Sequence, residues 1–272
     1  MEYNKSFKEL LNTQHLDGYI GHGNPNAKIL ILGQEPAQDF GSENYMHEIA
    51  GNQAQWLDIV GRNVGYESIS FDIERFGSPL WPWANQRFAV RTELRKTKDG
   101  NTEPIVRGAH GTAKTWYNYQ KLIYGILKRE LVKNGQLEFH KYSFHTDMSA
   151  QASKKHGKID KDAAKESVYK RATELFSADF FRHFPIIIAP VGHFPKDFYG
   201  DDYFHAAFGV EFRPDESKDW INVNIRKDDN HSQILIHCKQ IAYASNKYIE
   251  EIANIARNFA EKQKINLESI QL

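Results

Sequence analysis

The chain has 272 residues, 40% of them hydrophobic and 13% aromatic, enough to bury a sizeable core and too apolar for a disordered segment. Its 35 Lys and Arg balance 35 Asp and Glu, which excludes affinity for nucleic acid through overall positive charge but leaves a local basic groove open. One cysteine, Cys238, excludes an internal disulfide framework and a four-thiolate cluster; no stretch approaches the ~18 apolar residues of a membrane span, and the opening MEYNKSFKELLN lacks the apolar core of a secretory signal, so a cytoplasmic protein with no membrane partner is expected.

The first strand is expected at Lys28–Leu32 (KILIL). From Gln38 to His110 the chain is rich in Gly, Asn and aromatics and offers no clear strand of a main sheet; it reads as an elaborated loop insertion with short helices, roofing a site. Thr115–Lys133 reads as a helix with Tyr119, Leu122, Ile123 and Ile126 on one stripe and Gly135 as its terminating residue. Phe139–Phe144 (FHKYSF) alternates as a strand nearer an edge, and Lys161–Phe176 gathers Ala164, Val168, Ala172 and Leu175 on one helical face. Ile186–Val191 (IIIAPV) is the third strand and Val210–Ile225 a hairpin or irregular excursion. Ile234–Ile236 is the fourth strand, followed by a helix that Ser245 caps. Continuous apolar strands alternating with helices predict one α/β domain over 1–272, three layers α/β/α around a central, mostly parallel four-stranded sheet.

In an open α/β sheet, ligands bind beyond the carboxyl ends of the strands. Here those ends are followed by Gly33-Gln34-Glu35-Pro36, His145-Thr146-Asp147, Gly192-His193 and His237-Cys238-Lys239-Gln240. Each has an ordinary structural reading: Glu35 caps a turn, Asp147 with Ser149 starts a helix, and His193 and His237 are hydrogen-bonded strand-end histidines. Polar groups at all four ends, however, converge on one crevice.

The segment Gly21–Ala37 (GHGNPNAKILILGQEPA) resembles the opening of the uracil-DNA glycosylase superfamily, where a strand leads into a Gly-Gln-Asp-Pro or Gly-Glu-Ala-Pro loop. Asn85–Val90 (NQRFAV) is similar to the stretch holding the base-stacking phenylalanine, and Thr115-Trp116-Tyr117-Asn118 sits where the family has a DNA-backbone-contacting Ser-Leu-x-Asn loop. His237–Ala242 (HCKQIA) matches the place of His-Pro-Ser-Pro-Leu-Ser, and YASNKYIEEIA looks like the helix after it. The matches occur in the family's order and cover most of the chain outside residues 38–80.

The resemblance implies a DNA base-excision glycosylase. Glu35, with Gln34, would orient water and stabilise an oxocarbenium-like sugar, while His237 stabilises the departing base. Phe88, Asp147 and Ala37 would form the base site. Trp116, Asn118, Lys239, Gln240 and Ile241 would contact DNA, with Ile241 as the apolar wedge. The expected partner is DNA, single-stranded or damaged; the protein would act as a monomer without cofactor or metal. Departures from the family carry their own implications. Glu35 is one methylene longer than aspartate, and Ala37 lacks the tyrosine that blocks 5-methylated bases. Asp147 stands where the family has asparagine, and an ionised carboxylate accepts hydrogen bonds only, which selects against the uracil edge. A non-catalytic nucleic-acid or nucleotide-binding protein on the same fold is the competing reading; a metal hydrolase finds no His-Glu-x-x-His spacing. Pro79-Leu80-Trp81-Pro82-Trp83 reads first as packing that anchors the insertion, and second as a lining for the base pocket.

Overall fold

Short apolar strands covered on both faces organise the computed structural model, which describes residues 2–13, 18–70, 77–107, 111–153, 159–227 and 232–268. Helix α1 (Lys5–Leu11), capped by Asn4, precedes the two-residue strand β1 (His22–Gly23) and strand β2 (Ile29–Gly33). The insertion contributes α2 (Glu43–Tyr45), a π-turn over Met46–Ala50, α3 (Asn52–Gly61) and a hairpin of β3 (Arg91–Lys96) and β4 (Thr102–Arg107). Its residues 71–76 and 108–110 lie outside the described residues. There follow α4 (Lys114–Leu127), β5 (Phe144–Asp147), α5 (Lys161–Lys170), α6 (Asp179–Arg182), β6 (Ile186–Ala189), α7 (Phe194–Phe198) and α8 (Tyr203–Phe208). The chain then forms β7 (Glu211–Lys218), β8 (Ile221–Lys227), β9 (Ser232–His237) and α9 (Asn246–Lys262).

The main sheet runs β1-β5-β2-β6-β9-β8-β7, while β3 and β4 form a sheet of their own. Strands β5, β2, β6 and β9 are mutually parallel; β1, β8 and β7 are added antiparallel. Successive strand residues face opposite layers. Leu30, Leu32, Phe144, Ile187, Ala189 and Leu235 join one core with α1, α3 and α5–α8. Ile29, Ile31, Ile186, Ile188, Ile234 and Ile236 join the other with α4 and α9. This two-sided cover explains why β2 and β6 are apolar without alternation.

The order of the parallel strands also fixes where a crevice can form. From β2 the chain crosses to β5 on one side, and from β6 to β9 on the other. The switch point therefore lies between the carboxyl ends of β2 and β6, where loops depart in opposite directions.

Several expectations are corrected. The sheet has seven strands, not four: β8 buries Ile221, Val223 and Ile225 beside β9, extending the sheet. Phe139–Lys141 is a 3-10 turn, not a strand, because the Gln120 side-chain carbonyl accepts from the Glu138 and Phe139 amides and holds the turn. The strand begins at Phe144 instead of ending there. Helix α4 stops at Leu127, and Lys128 (φ 55°), not Gly135, takes the left-handed terminating position. Beyond it Leu131 and Val132 are exposed, so no apolar stripe remains to carry the helix onward. The expected helix over Lys161–Phe176 is helical to Lys170 and widens to a π-turn over Arg171–Leu175. Ser245 caps α9 as expected, accepting from the Tyr248 amide, a bond typically worth ~1 kcal/mol.

Candidate functional site

The four parallel strands end level with one another. Gly33 pairs with Asp147, and Ala189 pairs with His237, so the segments after β2, β5, β6 and β9 emerge on one edge. At the switch point, Gln34 Nε2 donates to the Val191 carbonyl (2.6 Å), tying the loop after β2 to that after β6. Gln240 Nε2 donates to Gln34 Oε1 (2.5 Å), bringing in the loop after β9. Backbone bonds from Met148 to Gly33 and from Ser149 to Gln34 complete the arrangement on the β5 side.

Asp147 is buried at 7% exposure, on the layer of α4. Its Oδ2 accepts from the Tyr19 hydroxyl (3.0 Å). Arg171, buried in the π-turn, donates to the backbone carbonyls of Asp147 (3.0 Å) and Tyr19 (2.7 Å) and to Thr146 Oγ1 (2.8 Å). Burial pushes the Asp147 carboxyl up to about 7; the Tyr19 bond and the Arg171 charge oppose this, and the Glu35 charge adds to it. Of these influences the Glu35 charge is the smallest. A carboxyl that titrates near neutrality presents both an O–H donor and a carbonyl acceptor when protonated, the same complement as an amide.

A stability consequence follows from that raised value. The folded state holds the Asp147 proton more tightly than the unfolded chain, so this group's contribution is greatest below its usual value of 3.8 and is lost as pH rises towards about 7. Asp147→Asn, neutral throughout, is expected to be the more stable protein by roughly 2–4 kcal/mol at about pH 8, with the gap closing as pH falls towards about 4. Urea unfolding of both proteins across that range checks it; a pH-independent difference would show that Asp147 ionises normally.

His237 faces the opposite layer. Its Nε2 lies 2.7 Å from the Gly192 carbonyl, its Nδ1 lies 3.3 Å from Asn222 Nδ2, and its ring packs 4.9 Å from that of Phe204. Since a carbonyl only accepts, the proton sits on Nε2 and Nδ1 accepts from Asn222. Burial lowers its pKa; the Gly192 bond opposes this and His193 reinforces it. For His237 to donate to a departing base, the base must replace the Gly192 carbonyl.

The other expected site residues divide by exposure. Phe88 is buried, with its ring stacked on Tyr117 at 4.7 Å and 6° between planes, so that face is closed to a base. Ile241 is buried, and Asn118 is held inside by its amide donating to the Ile241 carbonyl at 2.7 Å. Neither offers a side chain to solvent as a wedge or a phosphate contact. Ala37, Lys239 and Gln240 are exposed, and Trp116 is half-buried against Trp83, with ring centroids 4.4 Å apart. Trp81 and Trp83 are both buried: Trp81 Nε1 donates to the Leu137 carbonyl (3.2 Å), and Trp83 stacks on Phe139 at 4.7 Å. Both belong to the principal cores, in agreement with the packing reading.

Sequence reasoning missed Tyr19 and Arg171. Tyr19 lies 128 positions from its partner Asp147, with no local signal. Arg171 falls seven residues after Ala164 on the buried stripe of α5, and a charge on an apolar face was the available clue. A cleft of about 240 Å³, lined by Tyr45, Ala150, Gln151, Arg171 and Leu175 among others, opens beside the end of β5. A groove of about 830 Å³ lies at the opposite edge of the sheet, among Asn4, Lys28, Pro185 and Ser232. Neither coincides with the switch point, where the Gln34, Val191 and Gln240 bonds hold the loops together. We place the candidate site by strand-end chemistry, because concavity alone does not assemble ionisable groups.

Among the described residues no group of three or more His, Cys, Asp or Glu side chains is arranged to hold a metal ion, and no helix is long and apolar enough to cross a membrane. No protein-family model and no curated protein matches the chain.

Proposed function

We propose that this protein hydrolyses the N-glycosidic bond of an altered base in DNA, and the observation that carries the reading is Asp147, a buried carboxyl at the end of β5 that is held by the Tyr19 hydroxyl and paired in register with Gly33, where the Gln34-Glu35-Pro36 loop departs. Hydrolysis of that bond builds positive charge on the sugar and negative charge on the base. A Glu35 carboxylate stabilises the first and orients the water that adds to the anomeric carbon. Protonated Asp147 offers the base edge a donor and an acceptor together. This removes the objection that an acid at this place must repel a carbonyl oxygen: with a pKa of about 7, a substantial fraction is protonated at neutral pH. His237, neutral and carrying its proton on Nε2, faces the layer opposite to Asp147, so it reaches the leaving base only if its ring turns over the strand end and leaves the Gly192 carbonyl. The residue resemblance at Gly33–Pro36, Phe88 and His237 supports the same reading.

A non-catalytic nucleic-acid-binding protein is the second reading. It is favoured by one observation: both ring nitrogens of His237 and one face of Phe88 already have partners within the chain.

Labelled oligonucleotides carrying a panel of altered bases, incubated with the protein and then cleaved with alkali at abasic sites, separate the two. We expect base release by the wild type, and release of uracil to appear or rise in Asp147→Asn, where a fixed amide replaces the titrating acid. No release from any substrate by either protein would remove the hydrolase reading.

A further inference from the structure

Two large aromatic side chains stand in solvent on the carboxyl edge of the sheet, each with a lysine over its ring. Tyr243, at the end of the 3-10 turn Ile241–Tyr243, is 83% exposed, and Lys114 Nζ on the first turn of α4 lies 5.3 Å from its ring centroid. Trp220, in the tight connection from β7 to β8, is 42% exposed, and Lys239 Nζ lies 5.8 Å from its ring. Because β8 is antiparallel to β9 and Asn222 pairs with His237, the turn before β8 lies just beyond the end of β9. Trp220 is therefore on the same edge as Lys239 and Tyr243, which follow β9 directly.

The placement is braced. The Tyr248 hydroxyl donates to the Trp220 carbonyl (2.9 Å) and accepts from the Lys239 amide (3.2 Å), joining the turn to the loop. The backbone at Asp219 and Trp220 is left-handed, with φ of 48° and 67°, which is costly for a bulky residue and usual for Asn-Gly in such turns. Neither ring belongs to a buried core. Trp220 meets the His193 ring edge to face at 4.5 Å and otherwise stands outward from a strained turn, while Tyr243 is solvated; each lies beside a cation.

We propose that this edge is a track for single-stranded nucleic acid, in which Tyr243 and Trp220 stack on unpaired bases while Lys114 and Lys239 meet the phosphates between them. Aromatic faces alternating with cations suit a strand whose bases are free, whereas a duplex hides the faces of its bases within its own stack. The neutral chain supplies little general attraction for the denser charge of a duplex. The proposal rests on the reading that this edge handles nucleic acid, but not on the hydrolytic step.

The test is fluorescence anisotropy with one labelled mixed-sequence oligonucleotide, free and annealed to its complement, with melting temperatures as the check on folding. The wild type is expected to bind the single strand more tightly than the duplex. Tyr243→Ala and Trp220→Ala are each expected to weaken single-strand binding by about 5–150-fold, the range for losing one base–aromatic stack. Tyr243→Phe should bind like the wild type, and Lys114→Gln with Lys239→Gln should flatten the salt dependence. Equal affinity for duplex, or alanine variants that melt normally and bind as the wild type does, would overturn the track. Base release unaffected by both alanine changes would do so while leaving the hydrolase; ring-dependent binding of the single strand without base release would sustain the track and remove the hydrolase.

Discussion

Glu35→Gln is expected to fold as the wild type does and to release base about 100–1,000-fold more slowly, the usual effect of removing one positioned electrostatic group, ~2.7–4 kcal/mol in barrier. The change keeps the shape and one acceptor oxygen, turns the other oxygen into an N–H donor, and removes the charge that would face the sugar cation. It carries a second signature that a merely structural glutamate lacks. Because the Glu35 charge helps hold the Asp147 carboxyl up, the glutamine variant should lower the pH at which Asp147 titrates, moving the corresponding limb of the rate profile to lower pH. Single-turnover rates across pH provide both readings. A non-catalytic binding protein would instead keep or gain affinity when the charge is removed, and its binding would show no such limb.

Mild acid is expected to destabilise the fold through three buried histidines. His22, His140 and His145 sit among Trp81, Trp83, Trp116 and Tyr119, with His145 about equally distant from Trp83 (5.8 Å), Trp116 (5.6 Å) and Tyr119 (5.6 Å). Neither ring nitrogen of His140, nor Nε2 of His145, has a hydrogen-bond partner among the described residues. Burial drives the His22 pKa down to about 4 and that of His145 to about 3, with mutual repulsion deepening the latter. His140 falls well below 6.5 for the same first cause, with Lys141 adding to it. The sign is opposite to that of Asp147: the unfolded chain takes up protons below about 6.5 while the folded one does not, so stability is full above that value and falls as pH drops below it. Each histidine costs ~1.4 kcal/mol by one pH unit below its unfolded value, so the three remove roughly 4 kcal/mol between about pH 7.5 and 5.5. Asp147 gains proton-linked stability over the same interval and masks part of this loss. The measurement therefore belongs in the Asp147→Asn background, by urea unfolding at each pH. His145→Gln should shallow the slope by about a third; an unchanged slope would mean that His145 is protonated in the folded protein.

How far the sequence discloses this architecture depends on whether a signal is local. Runs such as ILILG and IIIA declare buried parallel strands because two helical layers leave them no polar face. The polar strand FHTD does not declare itself: His145 and Asp147 are tolerated only because Trp83, Trp116, Tyr19 and Arg171 arrive from elsewhere in the chain. Meanwhile FHKYSF imitates a strand, but the turn at Phe139–Lys141 is imposed by Gln120 from another helix. In the β3–β4 ribbon Leu94, Arg95 and Lys96 are consecutive and all exposed, so this stretch shows no period of two. The strand ends were legible only approximately: expected at Leu32, Phe144, Val191 and Ile236, they fall at Gly33, Asp147, Ala189 and His237. Their partners, chosen across long loops, were not legible.

One contact also restricts how this site can change over evolutionary time. Strand β2 ends in Gly33, and an added Cβ there would stand 2.0 Å from Asp147 Oδ1. The acid on β5 thus occupies the room that the missing side chain on β2 leaves. A lineage that acquired alanine at 33 while keeping aspartate at 147 would have to turn the carboxyl out of its slot, away from the Tyr19 hydroxyl and towards a different titration. The carboxyl at 147 can thus keep its present slot only while residue 33 stays glycine; a side chain at 33 demands either a turned carboxyl or a shorter residue at 147.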